Sequence, residues 1–284
     1  MPKAMLVDTS KCIGCRGCQV ACKQWNGLPA VPTKQTGTYE NPPDLSASTW
    51  TRIQFRGYPG GWLFRKQNCM HCTQASCVSV CPSGAAQHRG EFVLIDQERC
   101  VGCGNCVVAC PFGSVHREPP NGTARKCTLC IDRVSNGLTP ACAKTCPTGA
   151  IQFGERWDLI AAGHRRVATL ASNGYPLARL YGETELGGLG QMYVLTQPAP
   201  FFGLPERPVV ATANVLAHWL SGAVATGLIA ALPFWLLFRR RRAMAAEGQP
   251  AAAEVTARSG DGHGESVEIS ERRSAPTEGE GGAE

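Results

Sequence analysis

Sixteen cysteines, all lying between Cys12 and Cys146 of a 284-residue chain, restrict this sequence more than any other feature. They fall into four cassettes: Cys12, Cys15, Cys18 and Cys22; then Cys69, Cys72, Cys77 and Cys81; then Cys100, Cys103, Cys106 and Cys110; and finally Cys127, Cys130, Cys142 and Cys146. The recurrence is an internal repeat and outranks local propensities. Cysteine at this density means disulfides, zinc or iron–sulfur clusters. An even count is compatible with disulfides in an oxidising compartment. Yet every cysteine is separated from a neighbour by only two or three residues, which suits a metal better than a long-range staple.

A cubane [4Fe–4S] cluster needs four thiolates. Two-residue spacers let one loop supply three of them, and a cysteine three residues further on lies past that loop and reaches a second cluster. Pro82, Pro111 and Pro147 follow the last cysteine of three cassettes, where a fixed φ turns the chain away; Lys23 stands there in the first. The pattern predicts four [4Fe–4S] clusters rather than zinc or a lone iron. By analogy with two-cluster ferredoxins, ligand exchange pairs the second cassette with the third and the first with the fourth. One cluster then takes Cys12, Cys15, Cys18 and Cys146, and its mate takes Cys22, Cys127, Cys130 and Cys142. A third takes Cys69, Cys72, Cys77 and Cys110, and a fourth Cys81, Cys100, Cys103 and Cys106.

The predicted fold class is α+β: two loop-rich, ferredoxin-like two-cluster units plus one C-terminal transmembrane helix. Short strands are expected at residues 4–7, 92–95 and 150–153, with a hairpin turn over 87–91. An amphipathic helix is expected over 157–170, and residues 187–208 read as irregular. Residues 1–61 carry the first cassette and an extended loop of an outer unit, and 62–120 form the inner unit. Residues 121–154 complete the outer unit, and 155–208 form an extension against a partner. A core poor in apolar residues around the cassettes makes metal a folding requirement as well as a redox centre.

Residues 209–238 contain no Asp, Glu, Lys or Arg. As a helix, 216–238 spans about 35 Å against roughly 30 Å of hydrocarbon. Trp219 and Trp235 sit near its ends as interfacial anchors, and Arg239, Arg240, Arg241 and Arg242 follow at once. Four arginines mark the cytoplasmic side, so the expectation is a single pass through the inner (cytoplasmic) membrane with a periplasmic head. Residues 239–284 then form an arginine stop and an acidic, disordered tail on the cytoplasmic side. The first residues hold no apolar run long enough for a signal peptide, so the head is expected to cross with a partner that bears the signal.

Residues 1–238 carry 21 Lys/Arg and 13 Asp/Glu, a surplus of eight positive charges. A basic head is open to nucleic acid, but four thiolate-held clusters, each carrying about two negative charges, would cancel it. No nucleic-acid partner is expected.

Around the cassettes the chain resembles the iron–sulfur (beta) subunit of membrane-bound respiratory formate dehydrogenases. The resemblance runs through Cys12-Ile-Gly-Cys-Arg-Gly-Cys-Gln-Val-Ala-Cys-Lys-Gln-Trp-Asn26, Gly37-Thr-Tyr-Glu-Asn-Pro-Pro-Asp-Leu45 and Trp62-Leu-Phe-Arg-Lys-Gln-Asn-Cys-Met-His-Cys72. It continues through Lys126-Cys-Thr-Leu-Cys-Ile-Asp-Arg-Val134 and Pro140-Ala-Cys-Ala-Lys-Thr-Cys-Pro-Thr-Gly-Ala-Ile151, and reaches the helix. The cassettes alone also fit the four-cluster subunits of polysulfide, thiosulfate, tetrathionate, dimethyl sulfoxide and nitrate reductases and of some hydrogenases. The resemblance implies electron relay from a molybdopterin or tungstopterin catalytic alpha subunit to a membrane cytochrome b gamma subunit and quinone, in a heterotrimer or a multimer of it.

No base, nucleophile or open metal position is visible, so no catalytic residue is expected in this chain. Lys11, Arg16, Lys23, Lys126 and Lys144 adjoin ligands, where charge tunes potential or simply faces solvent. His71 is expected beside the ligands, His116 and His164 at the surface, and His218 as a hydrogen-bonding residue of the membrane helix rather than a haem ligand. Trp25 and Trp50 read as packing residues against a partner subunit.

Overall fold

The computed structural model describes residues 2–118 and 122–247. By contacts the chain divides into two compact units, Met1–Leu220 and Ser221–Glu284.

In the first unit, β1 (Lys3–Asp8) leads to α1 (Gly17–Trp25), and a hairpin of β2 (Arg52–Tyr58) and β3 (Gly61–Gln67) follows. Next come α2 (Ser76–Ser79), the hairpin β4 (Ala86–Arg89) and β5 (Phe92–Ile95), and α3 (Asn105–Ala109). The pair β6 (His116–Arg117) and β7 (Ala124–Arg125) precedes α4 (Ile131–Ser135) and α5 (Ala141–Lys144). The unit continues with β8 (Ile151–Glu155), α6 (Arg156–Ser172), β9 (Arg179–Tyr181) and β10 (Gln191–Leu195). The expected strands at 4–7 and 92–95 and the helix at 157–170 correspond to β1, β5 and α6. The expected turn over 87–91 shortens to Gly90 and Glu91, because the residues before it pair in β4.

Four of these strands form one sheet in the order β8-β1-β10-β9. Its centre is a parallel pair in which Met5 faces Gln191 and Val7 faces Tyr193. Side chains alternate across a strand, and this alternation divides the core. Ala4, Leu6, Met192 and Val194 pack with Leu159, Ile160 and Leu170 of α6. A Cβ at Gly163 would come within 2.8 Å of Leu180 Cδ1, so glycine sets how closely α6 approaches β9. Met5, Val7, Tyr193 and Leu195 line the opposite face, in a cluster that takes in Cys18 and Cys142 and has Cys12, Cys72 and Cys146 packed against it. One sheet face thus holds a helix and the other holds thiols.

The strand β10 lies inside the stretch read from sequence as irregular. All five of its residues are buried. A strand covered on both faces shows no polar–apolar alternation, and with flanking glycines it resembles a loop.

The helix α7 (Val215–Glu247) includes a candidate membrane span, Val215–Ala245, with mean hydropathy 1.8 and no buried residue in its most apolar window. The helix runs through Pro233 and all four arginines, and Arg239 stacks over the Trp235 ring at 5.3 Å.

Candidate metal centres

The second residue after each cassette's first cysteine adopts a left-handed backbone: Gly14 (φ 67°), His71 (48°), Gly102 (69°) and Leu129 (55°). This turn aims a backbone N–H back at sulfur. His71 N donates to Cys69 Sγ at 3.5 Å and Leu129 N to Cys127 Sγ at 3.4 Å. Two cassettes use glycine there; the other two accept a side chain at a cost of about 1–2 kcal/mol each. After the last cysteine, Cys-Pro-x-Gly forms a turn with proline second and glycine fourth. Its N–H to C=O bonds are Gly84 to Cys81 (3.3 Å), Gly113 to Cys110 (3.1 Å) and Gly149 to Cys146 (3.3 Å). These turns place further donors on sulfur: Ala86 N on Cys81 Sγ and Ser114 N on Cys110 Sγ, each at 3.4 Å. Ala124 N on Cys100 Sγ, also at 3.4 Å, comes from β7. N–H donors of this kind stabilise anionic sulfur and help set cluster potentials.

The folded chain brings thiols from separate cassettes into electrostatic contact. Cys12 feels Cys146 and Cys15, and Cys18 feels Cys12 and Cys15. Cys22 feels Cys127 and Cys142, and Cys130 feels the same two. Cys72 feels Cys69, Cys110 and Cys77, while Cys106 feels Cys100, Cys103 and Cys81. Each foursome therefore draws on two cassettes. Electrostatic coupling also runs between foursomes: Cys18 with Cys142, Cys69 with Cys127, and Cys77 with Cys106.

All sixteen cysteines are free thiols. Burial pushes Cys18, Cys77 and Cys130 up to about 12 and Cys106 up to about 11. Cys81 goes the other way, because backbone donors led by Ala86 outweigh its slight burial. Thiols crowded in a protein interior without disulfides lack a partner, and a metal group that binds thiolates provides one. Among the described residues, no three Cys, His, Asp or Glu side chains gather as one small ion would require. Cys12, Cys15, Cys18 and Cys146 line one cavity together with Val7, Ile53 and Ile151. The donor set fits [4Fe–4S] clusters.

Charged side chains flank these thiols. Lys126 is buried, and its ammonium donates to the Val93 carbonyl and, at 3.2 Å, to the Cys127 carbonyl. Lys23 donates to the Ser48 carbonyl at 2.8 Å, and its pKa is lowered by burial despite the pull of Cys22. Arg16 stacks over Phe55, whereas Lys11 and Lys144 face solvent. His71 is buried between the second cassette and β5, where its Nδ1 accepts from Val93 N at 3.1 Å. Its pKa is held well below the ordinary value by burial and by Lys126 and Lys66. His116 is partly buried and His164 pairs with Glu183 at 2.9 Å. Trp25 is exposed, with Arg133 4.2 Å above its ring and its N–H on Asp132; Trp50 donates to the Ala47 carbonyl. Sequence reading misses Lys66, Gln191 and Tyr193, a wholly buried polar group. The one available signal is a lysine three residues before Cys69, which looks like a solvated charge.

Comparison with known proteins decides the family. Two 4Fe-4S dicluster domain families match, one over residues 61–156 and one over residues 11–85. The iron–sulfur subunit of the nitrate-inducible formate dehydrogenase of Escherichia coli (strain K12) is 42% identical over 239 residues, which cover 80% of this chain and 81% of that one. The chain belongs to the family of formate dehydrogenase iron–sulfur subunits. The corresponding subunit of formate dehydrogenase-O from the same organism is 43% identical over 216 residues, 73% of this chain and 72% of that one. Formate dehydrogenase 2 subunit beta (cytochrome c-553) of Nitratidesulfovibrio vulgaris is 38% identical over 194 residues, 63% of this chain and 88% of that one. As a member of this family the chain is an electron-transfer subunit, its sixteen cysteines fit four [4Fe–4S] clusters, and it works in a complex with a catalytic subunit. Its C-terminal helix fits a membrane anchor.

Proposed function

We propose that this iron–sulfur subunit relays electrons from formate oxidation in a molybdenum or tungsten pterin subunit to a membrane cytochrome b subunit and quinone. Bound [4Fe–4S] clusters supply the one-electron carriers. Cys12, Cys15, Cys18 and Cys146 hold the first, and Cys22, Cys127, Cys130 and Cys142 the second. Cys69, Cys72, Cys77 and Cys110 hold the third, and Cys81, Cys100, Cys103 and Cys106 the fourth. The observation that supports this reading is the pattern of electrostatic coupling between foursomes. The couplings Cys18–Cys142, Cys69–Cys127 and Cys77–Cys106 favour one file with two ends. Cys15 is exposed at one end beside the exposed Ile13 and Val20, and Cys103 at the other beside Val101 and Val108. Apolar residues around an exposed ligand suit docking of a redox partner. Residues 62–120 form the inner two-cluster unit, and the first and fourth cassettes form the outer one.

The four arginines after the apolar span favour a cytoplasmic tail and a periplasmic head, in a heterotrimer or a multimer of it at the inner membrane. Anaerobic purification in mild detergent tests the whole reading. The expected material is brown, carries four clusters per chain by iron and EPR analysis, reduces dye with formate, and contains a pterin subunit and a cytochrome b. Colourless protein with zinc or oxidised thiols would overturn it. Protease protection in vesicles of both orientations tests the topology, and a protected head in right-side-out vesicles would reverse it.

A further inference from the structure

Lys66 lies on β3 and is fully buried. Its ammonium donates to Gln191 Oε1 at 3.1 Å. The Gln191 amide in turn bonds the Tyr193 hydroxyl, which donates to the Lys66 carbonyl at 2.5 Å. Three buried side chains on β3 and β10 thus close a ring that fixes the ammonium. Lys66 also lines the cavity bounded by Cys12, Cys15, Cys18 and Cys146.

No carboxylate pairs with Lys66 among the described residues. Removing an ammonium from water costs several kcal/mol, more than one amide hydrogen bond returns. Neighbouring cations on the same hairpin show two other outcomes. Arg52 is buried but meets Glu40 at 2.7 Å. Arg65, one residue before Lys66 and so on the opposite face of the strand, is buried with Gln54 as its partner, and burial pushes it down to about 10. Burial works against Lys66 as well, and the groups that oppose it are Cys142, Cys127, Tyr193 and Cys18. The groups that share its cavity and could carry a compensating negative charge once a cluster is bound are the sulfurs of Cys12, Cys15, Cys18 and Cys146, from the first and fourth cassettes.

We infer that Lys66 is a fixed positive charge that raises the reduction potential of the clusters held by those two cassettes. The inference rests on the ligand assignment proposed above. Reduction adds one negative charge to a cluster, and a cation locked beside it in a poorly screened interior favours that form. Lys66 lines the cavity of the Cys12 foursome, so that cluster is affected most, with its mate in the same two cassettes next. The foursome of Cys81 lies at the far end of the file and is left unchanged.

The test is an EPR-monitored redox titration of the purified complex, with iron analysis alongside. In Lys66→Met, at least one midpoint falls by tenfold or more in the reduction equilibrium, about 59 mV for one electron, while at least one other holds still. Lys144→Met, an exposed charge close to Cys142 and Cys146, moves every midpoint by less than threefold. Lys66→Met with four clusters and four unchanged midpoints overturns the inference. If Lys66→Met lacks clusters, Lys66→Arg decides. Four clusters with midpoints near wild type support a charge requirement, and iron lost there too shows that shape matters rather than charge. Failure of the ligand assignment reads out separately, as a Cys142→Ala chain that keeps all four clusters.

Discussion

At the middle of the thiol file, Cys22, Cys69, Cys127 and Cys142 are at most 7% exposed, whereas Cys15 and Cys103 at its ends are open to solvent. The middle carries two buried lysines, Lys66 and Lys126; each end carries exposed aliphatic side chains instead. The contrast follows from what each region does. Thiols in the interior need internal counter-charge and N–H donors because water is excluded. Thiols at the ends have solvent around them instead.

Several substitutions probe this contrast. Cys127→Ala is expected to have the largest effect. It deletes an interior thiol coupled electrostatically to both Cys69 and Cys22, and metal binding by such thiols is worth on the order of 10 kcal/mol of folding energy. The iron of more than one cluster should go and the chain should fail to accumulate. Cys103→Ala should cost one cluster's iron and leave the far-UV circular dichroism intact. Equal losses would erase the distinction between middle and end. Leu195→Ala, at a fully buried position on the thiol-bearing face of the sheet, should destabilise by about 2–5 kcal/mol. Val108→Ala, at a position 90% exposed at the file's end, should stay within about 0.5 kcal/mol. Thermal loss of the cluster absorbance reads both.

Tyr193→Phe removes the hydroxyl that joins Gln191 to the Lys66 carbonyl and should cost about 1–3 kcal/mol, since it strands two buried polar groups. A neutral result in the same melt would mean that the ring around Lys66 is not needed to hold it. Trp25→Ala is expected to be mild, about 0.5–1 kcal/mol from the lost Arg133 stack at an exposed site, and a larger drop would place Trp25 with the interior.

The cassettes, their sixteen thiols, strand β1 and helix α6 are legible because each is local: a spacing, an apolar run, a period. What stayed hidden is non-local. The strand β10 becomes a strand only by pairing in parallel with β1, and the two are separated by almost the whole head. The hairpin β2–β3 buries Arg52, Arg65 and Lys66, so its sequence looks solvated. Lys66 in particular acquires its meaning from sulfurs on other segments. Charge normally signals surface; here a hairpin packed against clustered thiols reverses that rule.

The parallel pairing of Met5 with Gln191 has a consequence for biosynthesis. By Cys110 a chain emerging from the ribosome has already released every cysteine of the second and third cassettes. On the proposed ligand assignment, the first cassette must wait for Cys146, and its supporting strand must wait until Leu195 has emerged. Maturation is therefore nested like brackets, with the interior pair closing early and the opening residues of the chain among the last to find their place. Nascent chains arrested between those points should accept iron at residues 69–110 while Cys12, Cys15 and Cys18 remain open to alkylation.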